Sequence, residues 1–422
     1  MKKIETRTIK NNNVNIPGSK SISHRMVILA SLASGKSLLT NVLKSEDILL
    51  TISCMKNMGA KIEEIDQGKN KIVFKIEGFD GNPHKYDKEI YLGNSGTSMR
   101  LLAGIAGLGN SEFILTGDER MCQRPMSPLL DALNMANVSA QSDSGNGTPP
   151  VRINGKNKIG GKVEIDCSLS SQYLSSLLMI GCYLKHGLEI KLIGTPVSTP
   201  YIDLTIAIMT MFNVKVDRKE NDEYVVLPNQ KYIAGDFIIE PDLSNAGYFW
   251  SAGAILKQKV KVLNVSKNSL QGDLQLAYIF EKMGCNLSIE NDGISICGND
   301  LKGIEVDMSD TPDAVPALAV TAAYATGTTT IRNIGHLREK ECDRIDAVAC
   351  ELQKMKIKVE TGNDWMKIHG GKPVGATIKT YNDHRIAMAF SIAGLITENM
   401  VIENENCVAK SFPSFWDVFE SL

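Results

Sequence analysis

The chain has 422 residues, enough for two domains of ordinary size. Its 46 Lys and Arg against 48 Asp and Glu leave a formal charge of −2, which excludes the basic excess of a nucleic-acid or membrane-surface binder. The nine cysteines form no Cys-x-x-Cys pair and the six histidines no HxH or HExxH spacing, so neither a disulfide framework nor a metal site is expected.

The opening MKKIETRTIKNNN has no apolar core of a secretory signal, and residues 4–16 read as strand. At Pro17 begins PGSKSISHRMVILASLASG, the first of six similar stretches. Each opens on small and polar residues, then runs into an Ala/Leu/Met/Gly-rich segment too long for a strand. The others are LGNSGTSMRLLAGIAGLG, CSLSSQYLSSLLMIGCYLKHG, PDLSNAGYFWSAGAILKQ, SDTPDAVPALAVTAAYATG and TYNDHRIAMAFSIAGLI. The longest apolar run, from Ala314 to Ala325, falls short of a membrane span. After each head comes a β-branched run, a loop, an amphipathic helix and another strand, as in SLLTNVLKSEDILLTISCMKNMGAKIEE. Several of these helices stop at Met-Gly or Met-Lys and continue as alternating strand residues. The last copy, VIENENCVAKSFPSFWDVFESL, is truncated.

Copies start roughly 70 residues apart, longer than solenoid periods, and so read as subdomains. Three lie on each side of about Gly235. Two similar lobes are expected, residues 20–235 and 236–422, the second completed by a strand from 1–19. The chain would cross between them near Ala234–Asp236 and at Pro17–Gly18, and hinges this short suit closure over a ligand.

Chemistry gathers at the heads. Lys20 sits at the first helix start, and Ser21 and Arg25, four apart, share a helical face. Free N–H groups, the helix dipole and two cations make an anion site; without them the segment is a capped helix with solvated charges. It is not a Walker A motif, since the second Gly is missing. Gly93 and Gly96 in the second head allow close backbone approach, and Arg124 follows in a loop with a fork suited to carboxylate or phosphate. Ser170, Ser171 and Gln172 in the third head are neutral donors, although a Ser N-cap looks the same. Asp313 follows Thr311-Pro312 at a helix start, where a carboxylate ordinarily caps. Lys340 and Arg344, four apart, are expected on one helix face, where they repel unless an anion lies between them; Glu341 beside them can handle a proton. A salt-bridged surface helix is the alternative there. Arg385 opens the sixth head, and Lys410 precedes Ser411-Phe412-Pro413. Gathered into one cleft, these cations imply substrates carrying phosphates and carboxylates, with Asp313, Glu341 and Lys20 as proton carriers.

In order along the chain stand PGSKSISHR, GNSGTSMR, TGDERMCQRP, SLSSQY, STPYID, NSLQGD, KECDR, NDHR and AKSFP. Over its whole length the chain resembles the 5-enolpyruvylshikimate-3-phosphate synthase family of enolpyruvyl transferases. The resemblance implies a two-lobed inside-out α/β barrel, each lobe built from three βαβαββ repeats. It implies transfer of the carboxyvinyl group of phosphoenolpyruvate to the 5-hydroxyl of shikimate 3-phosphate through a tetrahedral intermediate, in aromatic amino-acid biosynthesis. By similarity, Lys20, Ser21, Arg25, Ser170, Ser171, Gln172, Ser198, Asp313 and Lys340 hold shikimate 3-phosphate. Lys20, Gly96, Arg124, Gln172, Arg344, Arg385 and Lys410 hold phosphoenolpyruvate. Asp313 takes the hydroxyl proton, and Glu341 with Lys20 protonates the methylene carbon. No metal or organic cofactor is implied; the partners are the two small-molecule substrates, and a cytoplasmic monomer is expected.

The chain departs from the family at two places. His336 stands where many relatives carry Asn, and Leu101 follows Arg100 where plant-like members have Pro. Gly96 is kept, which permits glyphosate to compete with phosphoenolpyruvate, while Leu101 leaves the sensitivity open. The sister family that acts on UDP-N-acetylglucosamine uses a loop cysteine five positions before the Arg-Pro pair. Here that position is Glu119, and Cys122 lies too close to Arg124. A non-catalytic anion-binding protein on the same fold would have lost a proton carrier, and all three are present.

Overall fold

The computed structural model describes residues 1–66, 72–220 and 222–422. The chain forms two compact lobes: Gly18–Ile239, and Met1–Pro17 together with Glu240–Leu422.

Among its described residues the first lobe holds three four-stranded sheets with one strand order. In the first, Asp236–Ile238 runs parallel to Lys36–Thr40, which pairs antiparallel with Ile72–Glu77, which pairs with Lys61–Asp66. In the second, Ile90–Tyr91 is parallel to Glu112–Thr116, followed by Val151–Asn154 and Ser139–Ser142. In the third, Gly161–Asp166 is parallel to Leu188–Ile193, followed by Glu223–Val226 and Asp217–Lys219. Parallel neighbours need a crossover, and the head helices supply it: Gly96–Ala106 and Gln172–Gly181 each join such a pair. In the first sheet the edge strand comes from the far end of the lobe.

Head helices Lys20–Leu32, Gly96–Ala106 and Gln172–Gly181 are buried almost all round. That explains their lack of a polar stripe and their small residues, which let backbones approach. At Gly104 an added Cβ would lie 2.5 Å from Ser176 Oγ; instead the Gly104 N–H donates to that oxygen at 3.1 Å. Buried hydroxyls turn back onto the helix, as Ser31 does to the Val27 carbonyl at 2.8 Å. The sheets alternate, with Val151 and Ile153 buried while Arg152 pairs outside with Asp143.

The second lobe repeats the plan. Asn13–Val14 is parallel to Val260–Leu263 in a sheet with Gly293–Cys297 and Asn286–Glu290. Glu305–Asp307 is parallel to Thr328–Arg332 in a sheet with Met366–His369 and Lys358–Thr361. The third sheet has three strands: Thr377–Ile378, Met400–Ile402 and, antiparallel, Lys2–Ile4. The truncated sixth repeat has lost its own hairpin, and the N-terminal strand stands in for it. The buried helices are Leu243–Leu256, Val315–Ala322 and His384–Ala393.

Two expectations need adjusting. Residues 4–16 are not one strand: Lys2–Ile4 and Asn13–Val14 belong to different sheets. The lobe divisions fall at Pro17/Gly18 and Ile239/Glu240, whereas the sequence boundaries were 19/20 and 235/236; the strand Asp236–Ile238 pairs within the first lobe. The strands of each lobe form separate sheets while its head helices are buried, which is the inside-out α/β plan that the resemblance implies. Among the described residues no helix is long and apolar enough to cross a membrane.

Candidate active site

In the first lobe, Ser19 caps the helix that begins at Lys20. Lys20 Nζ lies 3.3 Å from Asp47 Oδ2, and both side chains are buried. The Lys20 ammonium thus faces a buried carboxylate. Arg25, one turn on, is 1 % exposed. Its Nη1 donates to the Ser21 carbonyl at 2.9 Å, its Nε to Thr205 Oγ1 at 2.8 Å and its Nη2 to the Tyr201 carbonyl at 3.3 Å. Burial pushes its pKa down to about 10, so it stays cationic at neutral pH. Ser170, Ser171 and Ser198 are buried, and Ser198 takes the left-handed φ of 56°, rare for a non-glycine residue.

Gln172 joins the second and third heads. Its Oε1 accepts from Arg100 Nη1 at 3.0 Å and its Nε2 donates to Thr97 Oγ1 at 2.9 Å. Gly96 opens its helix under the Ser95 cap. An added Cβ there would sit 2.5 Å from Arg124 Nη2 and 2.7 Å from Nη1. The absent side chain is what lets the buried guanidinium rest over the helix start, with Nη1 donating to Asn94 Oδ1 at 3.1 Å.

In the second lobe, Asp313 lies in the turn Pro312–Ala314 before its helix. Its carboxylate is bridged by two arginines: Arg344 Nη1 to Oδ1 at 2.9 Å and Arg385 Nη2 to Oδ2 at 2.6 Å. Arg344 also donates from Nε to Asp383 Oδ2 at 2.7 Å and from Nη2 to Glu341 Oε2 at 2.7 Å. Burial alone would lower the Arg344 pKa, but Asp383, Glu341 and Asp313 together hold it above the usual range. Asp383 caps the helix His384–Ala393 through the Arg385 N–H and so sets Arg385 as well. Lys410 closes the turn Glu405–Lys410 and is buried.

Lys340 and Arg344 do not share a helix face. Asp343 accepts from the Ile345 and Asp346 N–H groups and caps the helix Arg344–Lys354, so Lys340 lies before the helix with an extended backbone. A capping Asp one residue before Arg344 was the available signal. His336 is 4 % exposed, and its Nε2 is buried with no hydrogen-bond partner. Burial, then Lys340, pushes its pKa down to about 3, so the imidazole is neutral.

Sequence reasoning missed Asp47, Arg100, Asp273 and Asp383. Arg100 had a signal, since it is a lone charge in an apolar run. Asp273 in NSLQGD is buried and accepts from Ser244 Oγ at 3.0 Å. Burial, then Asp313, pushes its pKa up to about 6.

A family model described as EPSP synthase (3-phosphoshikimate 1-carboxyvinyltransferase) matches residues 5–419. The chain belongs to the EPSP synthase family. A relative from Haemophilus influenzae (strain PittEE) named 3-phosphoshikimate 1-carboxyvinyltransferase is 42% identical over 418 residues, covering 97% of this chain and 96% of the relative. One of the same name from Photobacterium profundum is 40% identical over 416 residues, covering 98% and 96%. A solved EPSP synthase from Acinetobacter baumannii superposes with a TM-score of 0.83 at 29% identity, over 99% of this chain and 97% of that one. The enolpyruvyl transferase NikO from Streptomyces tendae, at 16% identity and a TM-score of 0.79 over 100% and 96% of the two chains, shares the fold. The EPSP synthase fold thus carries the six head helices of this chain, four of them capped by the side chains of Ser19, Ser95, Asp242 and Asp383.

Proposed function

We propose that this member of the EPSP synthase family transfers the carboxyvinyl group of phosphoenolpyruvate to the 5-hydroxyl of shikimate 3-phosphate and releases phosphate. The observation that carries the assignment of roles is the Asp313 carboxylate held between Arg344 and Arg385 at 2.9 and 2.6 Å, with Glu341 on the same guanidinium. A proton acceptor, a proton donor and two forks for a carboxylate thus lie on one cluster.

Lys20, Ser21, Arg25, Ser170, Ser171, Gln172, Ser198 and Lys340 are assigned to shikimate 3-phosphate. Lys20, Gly96, Arg124, Gln172, Arg344, Arg385 and Lys410 are assigned to phosphoenolpyruvate. Before substrate arrives, internal carboxylates satisfy Arg344. The phosphoenolpyruvate carboxylate competes for that fork, loosening Asp313 and Glu341 from it. A carboxylate that loses its cation and gains an anionic neighbour binds a proton more readily. Glu341, helped by Lys20, then gives a proton to the methylene carbon, while Asp313, which also contacts shikimate 3-phosphate, takes the proton of the 5-hydroxyl as its oxygen bonds to C2. The tetrahedral adduct expels phosphate and loses a methyl proton, which restores the methylene. The protein's contribution is alignment and preorganised charge.

The first test is phosphate release from phosphoenolpyruvate, with shikimate 3-phosphate in one reaction and UDP-N-acetylglucosamine in another. Release with the first alone is expected, and release with the second alone would overturn the assignment. Asp313→Asn should lower kcat roughly 100-fold or more, the range for a lost general base, with shikimate 3-phosphate still bound in a titration. Unchanged turnover would remove Asp313 from the role.

A further inference from the structure

The segment that delivers Asp383 and Arg385 to the site is backbone-strained. Tyr381 and Asn382 both hold left-handed φ angles, 54° and 56°. Asn tolerates that region, but an aromatic residue seldom visits it unless its surroundings hold it there. Asn404 Nδ2 donates to Asn382 Oδ1 at 3.0 Å, and a buried carboxylate holds Tyr381. Glu351 is completely buried on the helix Arg344–Lys354. Its Oε1 accepts from Tyr381 Oη at 2.8 Å, and its Oε2 accepts from the Lys379 backbone N–H at 3.0 Å. Lys354 Nζ, 2.7 Å from Oε2, compensates the charge.

Arg344 and Glu351 are seven residues apart, two turns along one face. That face grips the 379–383 segment twice: Glu351 at Lys379 and Tyr381, and Arg344 at Asp383. Between the two grips lies the left-handed pair. Asp383 in turn receives the Arg385 N–H at 2.8 Å. The position of Arg385 relative to Arg344 therefore depends on where the turn is pinned, and the distal pin is a buried carboxylate that touches neither arginine.

We propose that Glu351 and Tyr381 form a positioning pair that presets the spacing of Arg344 and Arg385 for the carboxylate of phosphoenolpyruvate. This rests on the assignment of those two arginines to that substrate. Without the pin, Tyr381 relaxes from its left-handed conformation, Asp383 shifts, and the two forks no longer match one carboxylate. Shikimate 3-phosphate, assigned to other residues apart from Asp313, is little affected.

The test compares Tyr381→Phe, which keeps the ring and removes only the hydroxyl, with Glu351→Gln and with Arg344→Lys, in full-length protein. The readouts are KM for each substrate, kcat and the thermal midpoint. Tyr381→Phe should raise KM for phosphoenolpyruvate roughly tenfold, as for a lost hydrogen bond to a charged group, and leave KM for shikimate 3-phosphate within about twofold. Glu351→Gln, whose amide oxygen can accept from the Lys379 N–H while its NH2 donates to the Tyr381 hydroxyl, should fall between it and wild type. If Tyr381→Phe lowers the thermal midpoint without separating the two KM values, or changes nothing, the pair is a structural prop and the proposal fails while the arginine assignment stands. If Arg344→Lys leaves KM for phosphoenolpyruvate unchanged, the assignment fails and takes the proposal with it.

Discussion

At Gly96, one missing carbon decides where a cation rests. The Arg124 guanidinium occupies the space in which a Cβ would sit, within 2.7 Å, and Arg124 is itself buried. Gly96→Ala must displace it. Overpacking of this kind costs about 1–3 kcal/mol, so KM for phosphoenolpyruvate should rise roughly tenfold while KM for shikimate 3-phosphate holds. Equal changes in both would show that Arg124 does not serve the first substrate alone. Asp273 makes a different residue-scale prediction, about pH. Its pKa is pushed up to about 6, first by burial and then by Asp313, with Arg385 opposing. Between about pH 4 and 6 the folded protein holds a proton that the unfolded chain has released, so stability falls as pH rises through that window. Above pH 6 the penalty is constant, about 3 kcal/mol at most. Asp273→Asn removes it and can still accept from Ser244. Urea midpoints of the variant should gain on wild type from pH 4 to 6 and then run parallel; a constant offset would show that Asp273 is ionised throughout.

At the scale of elements, a single hydroxyl ties three helices of the first lobe. Thr51, on Glu46–Asn57, is 2.8 Å from His24 Nδ1 on Lys20–Leu32 and 2.8 Å from Ser98 Oγ on Gly96–Ala106. Ser98 continues to Ser95 at 2.7 Å. All four side chains are buried. Thr51→Val keeps the shape and breaks the link, and it should cost about 1–3 kcal/mol as buried polar groups lose a partner, seen as a lower urea midpoint. The two outer helices carry Lys20 and Gly96, so both KM values should rise together, unlike in Gly96→Ala. The heads were legible because capping and small-residue composition are local: Ser19, Ser95 and Asp383 cap where the polar openings stop. Thr51 was not, since it lies in the second pattern of its repeat and reaches the site only through packing. The same limit explains Lys340 and Arg344, whose spacing fits a helix face while Asp343, a better cap, starts the helix after Lys340. Arg344 was legible as a charge, but its three carboxylate partners come from segments distant in sequence or from a turn whose shape no periodicity encodes.

At the scale of the molecule, the first lobe is an insertion into the second. Residues 18–239 are continuous, while the second lobe is assembled from both ends of the chain. The repeats announced two sets of three, but the exchanged edge strands are too short to read: Asn13–Val14 belongs with Val260–Leu263, and Asp236–Ile238 with Lys36–Thr40. Their pairing makes each lobe self-sufficient in sheet. The ends of the insertion are also tied within the first lobe, since Asn41 Nδ2, at the end of Lys36–Thr40, donates to the Ile239 carbonyl at 2.8 Å. On the other side, the Asp242 N–H donates to the Pro17 carbonyl at 3.0 Å, closing the second lobe where the insertion leaves it. A continuous segment with its own core, all of its strand partners and adjacent ends meets the conditions for independent folding. Residues 18–239 expressed alone should therefore unfold cooperatively on heating and show mixed α/β circular dichroism. The fragment keeps Lys20, Ser21, Arg25, Ser170, Ser171, Gln172 and Ser198, so it should bind shikimate 3-phosphate more weakly than the whole chain. Lacking Asp313 and Glu341, it should release no phosphate from phosphoenolpyruvate. A fragment that folds but does not bind would move the main hold on shikimate 3-phosphate to Asp313 and Lys340, and one that melts without cooperativity would show that the first lobe needs the second to fold.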